Sequence, residues 1–565
     1  MNETNFDAII IGAGMSGGWV AKELCEQGLK TLLLERGRNV THIKDYPTTN
    51  MQPWEFKHRG EMPYEVQEEN PIVSRCYAFK EDNAHFMVKD KEHPYVQDKP
   101  FDWIRGYQVG GKSLLWARQT QRWSDYDFEG PARDGFAVDW PIRHNDLAEW
   151  YSKVEIFAGI TGNKDGLDNL PDGEFLPAWD LNCVQDYFKD FVNTNYDDRK
   201  VIFGRCAHLS EAKDIHHQQG RSQCMKRTEC ERGCPFGGYY SSVSSTIPWA
   251  QKTGNLTLQP DSVVQSVLYD EESGKASGVR VIDAHTKEVT DYNAKIIFLN
   301  AGSVNTVSVL LNSKSDRFPN GLGNDSGVLG KYVAFHNYRG KINAVHNGHK
   351  DQAMKGRIPT TAYMPRFQNV YKQETDFLRG YAATFYAGRS RNPEIGSELG
   401  EPLTHQLLDE KPDYGPWYVG AGFMGATIPK ESSYIKLDET ETDEWGMPLI
   451  HFSVDYDDND EKMLAHFFKT FTEMFEKAGF ENIQTHDTKQ APGLDIHEMG
   501  GARMGKDPNT SIVNEWNQMH HCKNVFITDG ACMTSTSTQN PSLTYMALSA
   551  RAANYAAEAL RKGEI

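Results

Sequence analysis

Three groups of residues in this chain have the types and spacing to do chemistry. Gly12-Ala13-Gly14-Met15-Ser16-Gly17 is a G-x-G-x-x-G turn, and Glu35 stands eighteen residues beyond it. In such a turn Gly12 permits the tight bend, Gly14 lets a pyrophosphate approach the backbone, and Gly17 lets a helix pack closely on a strand. Glu35 is then placed to accept hydrogen bonds from a ribose diol. Gly110-Gly111-Lys112-Ser113 is a second glycine-rich stretch, whose exposed N–H groups suit another contact on a bound dinucleotide. Cys224, Cys230 and Cys234 are spaced C-x5-C-x3-C, with Pro235 after the last. Three thiolates can hold a three-iron cluster, and Lys226, Arg227 and Arg232 are expected to favour their charged form. Zinc would need a fourth ligand, for which His216, His217 or Cys206 are candidates. A cysteine-rich loop without metal is the third reading.

The elements needed to position these groups are legible around them. Phe6 to Ile11 is a short apolar run, read as a buried parallel strand, and it enters the first glycine turn directly. Helix-forming sequence follows from Trp19 to about Gln27, with Gly28 placed to end it, and Thr31 to Leu34 is a second strand ending at Glu35. Residues 38 to 100 carry no sustained periodicity and read as a long excursion over the surface and the site entrance. An amphipathic helix is expected from about Asn145 to Ala158, and a polar loop from there to about residue 200. Leu256–Leu258, Val263–Leu268 and Ala276–Val281 have period two and predict an antiparallel meander. Lys295 to Asn300 predicts another buried strand, followed by Ala301-Gly302-Ser303 and a helix from about Asn305. From 329 to 493 strands alternate with polar loops, with a helix near 460–477. Asn524 to Gly530 predicts one more strand, and Asn540 is expected to cap a long helix with Pro541 in its first position.

These elements predict an α/β chain, α+β overall. A Rossmann-like dinucleotide-binding domain is assembled from discontinuous segments (1–60, 100–160, 200–328 and 494–565). A second domain with a largely antiparallel sheet and helices takes 329–493, with excursions at 61–99 and 161–199. The net charge of −18 excludes a nucleic-acid binder, since phosphate backbones need a basic surface. No run approaches the roughly 18 apolar residues of a membrane span. The first strand begins so near the N-terminus that no signal peptide is expected; the location is then cytoplasmic, or periplasmic by co-export with a partner.

Taken together, the motifs resemble the glucose-methanol-choline oxidoreductases. The resemblance rests on the N-terminal fingerprint, G-G-x-S at 110–113, A-G-S at 301–303, H-E-M-G-G-A-R-M-G at 497–505, T-D-G at 528–530 and T-Q-N-P-S-L-T at 538–544. It implies FAD rather than NAD, with hydride passing from an alcohol to flavin N5. By resemblance the cofactor-binding positions are Gly12, Gly14, Met15, Ser16, Gly17, Glu35, Gly110, Gly111, Ser113, Leu114, Val264, Ala301, Gly302, Asp529, Gly530, Asn540, Pro541 and Thr544. The catalytic pair is His497 and Asn540. An alcohol releases hydride readily only as its O–H proton leaves, so a base must reach that oxygen; imidazole suits this at neutral pH. Asn540 can orient the hydroxyl, and the helix after it would aim its positive end at the side of the flavin where negative charge develops.

Within the family, the His-then-Asn pair and the cysteine segment resemble sugar-oxidising members such as pyranose 2-oxidases and bacterial glucoside 3-dehydrogenases. That implies a dehydrogenase acting on a secondary hydroxyl of a sugar or glycoside, at C3 of a glucoside, with a 3Fe-4S cluster on Cys224, Cys230 and Cys234. Electrons would pass to a small subunit or a cytochrome c. Pyranose oxidases commonly tether FAD through a histidine where this chain has Leu115, so the departure implies non-covalent FAD. The alternatives are a sugar oxidase using O2 and a non-catalytic flavoprotein that only transfers electrons.

Overall fold

A computed structural model describes residues 4–353, 358–389, 415–494 and 497–565. Its organising element is a parallel strand–turn–helix–strand unit: β1 (Asn5–Ile11), α1 (Met15–Glu26) and β2 (Thr31–Leu34). All four residues of β2 and most of β1 are buried, which is why these strands read as continuous apolar runs rather than alternating ones. β1 lies between β2 and the strand Val289–Leu299, parallel to both. The turn after β1 therefore opens at the carboxyl ends of parallel strands, where α/β sheets place ligand crevices.

The sheet has seven strands, in the order Leu256–Gln259, β2, β1, Val289–Leu299, Lys275–Asp283 and Ser262–Asp270, with Val525–Ile527 added parallel to Val289–Leu299. One expected pairing is corrected here. Leu256–Gln259 does not join the antiparallel meander; it pairs parallel with β2. The meander runs instead through Ser262–Asp270, Lys275–Asp283 and the first half of Val289–Leu299. That long strand serves two sheet edges, pairing antiparallel through Val289–Asn293 and parallel with β1 from Asn293 to Leu299. The C-terminal helix, Ser542–Lys562, packs beside α1, and Val525–Ile527 brings the chain's end back to this sheet.

A second seven-stranded sheet is antiparallel throughout. Its order is Glu481–Asp487, Gly340–His346, Trp417–Ala426, Tyr381–Gly388, Ala362–Met364 and Ile202–Phe203, with His336–Asn337 also paired to Trp417–Ala426. Ile202–Phe203 thus sits at this sheet's edge, although it falls in a segment expected to build the first domain. The helix Asp458–Lys477 covers one face with Met463, Phe467, Phe471 and Phe475, an i, i+4 stripe that is fully buried. A further correction lies in the stretch read as a polar loop to residue 200. Cys183–Asn195 is a helix, capped by the Asn182 side chain on the N–H groups of Val184 and Gln185. Val184, Phe188 and Val192 face the core from it; the aspartates and lysine between them masked that stripe. A three-stranded sheet joins Tyr434–Thr442 and Pro448–Ser453 to Val96–Gln97, the one strand in the excursion from 38 to 100. Among the described residues no helix is long and apolar enough to cross a membrane.

Candidate active site and nucleotide cleft

The three glycines of the first turn meet three different neighbourhoods. A Cβ on Gly12, whose φ is +101°, would lie 2.4 Å from the Asn300 carbonyl oxygen, so the turn fits against the neighbouring strand only without a side chain. A Cβ on Gly17 would lie 1.9 Å from the Gly12 oxygen, so helix–strand packing forbids it. A Cβ on Gly14 would meet nothing within 4 Å, because Gly14 faces open space. That space is a cleft of about 230 Å³ lined by Gly12, Gly14, Met15, Ser16, Glu35, Gly111, Ser113, Val264, Ala301, Gly302, Asp529, Gly530 and His497, among others. Three helices start at its walls: α1, Ser303–Asn312 and Ser542–Lys562. Their unpaired N–H groups and dipoles make the cleft an anion site.

Other predicted positions lie around the cleft rather than on it. Gly17 and Leu114 are buried behind it. Gly110 (φ +97°) turns the second glycine stretch so that Gly111 abuts the Gly14 backbone. Thr544 is buried, its hydroxyl 2.8 Å from that of Tyr151. The helix begins at Ser542, with Pro541 as its boundary residue and no side-chain cap, so the expected capping by Asn540 is not made. The Asn540 side chain turns instead toward His497.

Asp529 and Glu35 are both buried carboxyls with different employment. Asp529 accepts from the Gly302 N–H (2.9 Å), the Thr306 hydroxyl (2.6 Å) and the Ala531 N–H (3.0 Å), pinning two loops of the cleft together. Its pKa is raised to about 6 by burial, against those hydrogen bonds. Glu35 accepts from the N–H groups of Ala13 (3.0 Å) and Gly37 (3.1 Å), yet burial still raises it to about 7. A carboxyl so poorly compensated at the end of β2 fits a diol that would donate to it. The Tyr545 hydroxyl and the Asn300 Oδ1, both on the cleft wall, are buried without a hydrogen-bond partner and await one in the same way. These residues fit a dinucleotide cofactor.

On the cleft wall stands His497, in left-handed backbone conformation (φ +70°), a cost of order 1 kcal/mol that the surrounding structure must hold. Its Nε2 is 3.5 Å from Asn540 Nδ2, and its Nδ1 is 2.8 Å from Nδ1 of His336. Desolvation, then the nearby His336 and Lys112, hold the His497 pKa well below the ordinary histidine value. The imidazole is neutral at neutral pH, with proton-accepting capacity intact. Residues not singled out in the sequence complete the site. Lys112 binds Glu498 at 2.9 Å, and Arg36, Arg105 and Tyr107 line the cleft. Arg36 and Arg105 are ordinary cations in irregular sequence, and only the fold brings them to the glycine turn.

The cysteine segment lies elsewhere, on a cavity of about 1010 Å³ lined by Cys224, Cys230, Cys234, Arg118, His208 and Tyr239, among others. Two expectations about it are corrected. Arg227 and Arg232 are paired with Glu229 and Asp82, and the Cys224 thiol is not held ionised, because burial pushes it up to about 11. His216 is not available as a zinc ligand, since its Nδ1 accepts from the Lys213 N–H and its Nε2 lies 3.1 Å from the Ile156 carbonyl. Lys226 lowers the Cys224 pKa against burial, and Arg118 also lines the cavity, buried, with Nε and Nη1 lacking hydrogen-bond partners and Cys230 among its electrostatic neighbours. His208 places Nε2 3.6 Å from the Cys230 sulfur. Among the described residues no three His, Cys, Asp or Glu side chains close into a metal-binding group.

A cleft at the carboxyl ends of parallel strands, with His497 on its wall and Asn540 3.5 Å from that imidazole, fits a class: an oxidoreductase that draws hydride from a carbon bearing a hydroxyl. The chain belongs to the GMC oxidoreductases, FAD enzymes acting on CH–OH groups, whose N-terminal model matches residues 189–336 and whose C-terminal model matches 429–549. It is 25% identical to 2-methyl-1,2-propanediol dehydrogenase of Mycolicibacterium austroafricanum over 97% of this chain and 94% of that one. It is also 25% identical to the fructose dehydrogenase large subunit of Gluconobacter japonicus, over 100% of both chains. Its fold is that of formate oxidase from Aspergillus oryzae, with a TM-score of 0.62 at 13% identity over the whole of both chains.

Proposed function

We propose that this protein is an FAD-dependent dehydrogenase that oxidises a secondary hydroxyl of a sugar or glycoside, C3 of a glucoside giving the 3-keto sugar. The observation that carries the reading is the His497–Asn540 pair, 3.5 Å apart, with His497 on the wall of the dinucleotide cleft. His497 Nε2 takes the hydroxyl proton, and Asn540 Nδ2 donates to the same oxygen and fixes its orientation. The imidazole can accept that proton because burial keeps it neutral. FAD, when bound, supplies the hydride acceptor. Gly14 and the helix N-termini would hold its pyrophosphate, Glu35 its ribose, and the start of Ser542–Lys562 would favour negative charge on the reduced ring. Leu115 offers no nucleophile, so the cofactor is held without a covalent bond; acid precipitation should leave free FAD in the supernatant.

The sugar class is supported by the motif resemblance and by the likeness to a fructose dehydrogenase subunit over its full length. That relative's description as a large subunit also supports a partner subunit here. Cys224, Cys230 and Cys234 would hold a 3Fe-4S cluster, which when bound would supply one-electron transfer toward a protein acceptor. The support is three thiols lining one cavity together with Arg118, whose buried Nε and Nη1 lack a hydrogen-bond partner and would meet a thiolate cluster's negative charge. Anaerobic flavin bleaching against glucosides, free sugars, gluconate and 2-methyl-1,2-propanediol, with NMR of the product, tests the substrate. Bleaching by the propanediol but by no sugar would overturn the sugar reading. Stoichiometric peroxide during turnover in air would make the protein an oxidase, and protein purified without oxygen should carry about three irons per chain if the cluster is present.

A further inference from the structure

His336 lies in a two-residue strand, His336–Asn337, paired with Gly425 and Ala426 at the edge of the second sheet. It is buried, and it meets hydrogen-bonding groups through both ring nitrogens. Nε2 is 2.6 Å from the Ser537 carbonyl oxygen, and Nδ1 is 2.8 Å from Nδ1 of His497. We propose that His336 is a positioning residue that fixes the tautomer of His497 through the Ser537 carbonyl, leaving the Nε2 lone pair of His497 free to act as the base. The inference rests on the base reading of His497 given above.

The argument is one of donors and acceptors. A carbonyl oxygen only accepts, so at 2.6 Å His336 Nε2 must carry its hydrogen. A neutral imidazole has one N–H, and burial keeps His336 neutral, with its pKa lowered to about 4. Its Nδ1 is therefore a lone pair, and the group facing it, His497 Nδ1, must be the donor. A neutral His497 that spends its hydrogen there has none on Nε2. The opposite arrangement would set the His336 Nε2 lone pair against the Ser537 oxygen, a repulsive contact in a buried place. The other groups near the pair do not compete: the Tyr338 hydroxyl is 3.5 Å from His497 Nδ1, and Lys112 is bound to Glu498.

The Ser537 carbonyl is itself held. The Ser537 hydroxyl donates to Asp127 Oδ1 at 2.8 Å and receives the Gln539 N–H at 3.1 Å. Arg379 donates to the Thr536 carbonyl at 3.1 Å, and the Thr536 hydroxyl donates to the Thr427 carbonyl at 2.9 Å, one residue past the strand that pairs with His336. The second sheet thus carries both ends of the device: one strand holds His336 and its neighbour steadies the carbonyl that reads it.

The test compares His336→Asn, His336→Gln and His336→Leu by anaerobic stopped-flow flavin reduction, with FAD content and melting temperature as controls on folding. Asn can place an oxygen where Nδ1 stood and still accept from His497, so its limiting rate should stay within about threefold of the parent. Gln can reach the Ser537 carbonyl but leaves no acceptor at the Nδ1 position, and Leu leaves neither. Both should lose roughly 10- to 100-fold in limiting rate, the scale on which an orienting partner acts, with half-saturating substrate concentration little changed. A residue that only filled space would rank Gln above Asn, since Gln is nearer histidine in length. That ranking, or parental rates in all folded variants, would overturn the inference. Should His497→Ala itself reduce flavin at the parental rate, the base reading fails instead, whatever the His336 series does.

Discussion

The nucleotide cleft and the cysteine cavity differ in size and in how firmly their walls are fixed. The cleft measures about 230 Å³, the cavity about 1010 Å³. The smaller space is closed by backbone: Gly12 and Gly17 have no room for a side chain, and Asp529 ties the loops at 302 and 531 together. Among its lining residues, Tyr545, Asn300, Arg36 and Arg105 carry buried polar atoms without a hydrogen-bond partner. The larger space is walled in part by a loop in which Arg227 pairs with Glu229 and Arg232 with Asp82, and whose thiol at Cys224 is held protonated by burial. Volume is therefore a poor guide to chemistry here. Convergent donors, acceptors and helix ends mark the reacting site, whereas the cavity has the ligand types of a relay without the closed geometry.

That contrast is most exposed to test at His497. Replacing it by Ala should lower flavin reduction by roughly a hundredfold or more, the scale of a positioned general base, with FAD content unchanged. Loss of FAD along with activity would mean that the residue shapes the cleft instead. Asn540→Ala should cost about 10- to 100-fold in the same stopped-flow experiment, because it removes one donor to the reacting oxygen and leaves the base in place.

FAD uptake should depend on pH through Glu35. Burial raises its pKa to about 7, and hydroxyl donors from a ribose favour the ionised carboxylate, so binding lowers that pKa and releases a proton. Affinity should then rise with pH up to about 7 and fall below it, by as much as roughly tenfold per pH unit. Titration of apoprotein at pH 5.5 and 8 reads this directly. Glu35→Gln should bind more weakly and flatten the slope; a slope unchanged in that variant would assign the proton elsewhere. Catalysis should add little acid sensitivity in the ordinary histidine range, since His497 titrates well below it.

The smallest effect is expected at the cysteines, and it is the one that separates the two regions. Cys230→Ser should leave the anaerobic rate of flavin reduction within about twofold, because hydride transfer depends on His497 and Asn540. Reoxidation by a protein acceptor should slow and bound iron should be lost. If flavin reduction and FAD binding collapsed together, the loop would be a structural part of the cleft, and the distinction drawn here would disappear.

What the sequence determined by itself was local and periodic. The unit β1–α1–β2 was readable because a buried parallel strand, a glycine turn and a helix each leave a signature within a few residues, and Gly12, Gly14 and Gly17 meet surroundings of the kinds the motif requires. His497 and Asn540 were found through motifs, which record spacing and not contact. The helix Cys183–Asn195 was legible too, through Asn182 and Gln185 as a capping box, but scattered charges hid its apolar stripe. What only the tertiary structure decided depends on pairs far apart in the chain. The parallel partner of Leu256–Gln259 is β2, more than two hundred residues away, and no periodicity distinguishes that pairing from a hairpin. Asn540 gives up its expected cap to face a histidine forty-three residues earlier. His336 stands in a segment with no motif, and its part in the site exists only because one sheet edge, one carbonyl and one imidazole meet within hydrogen-bond distance. Hydrogen-bond direction is a property of such meetings, so the tautomer of the base could not be read from the order of residues alone.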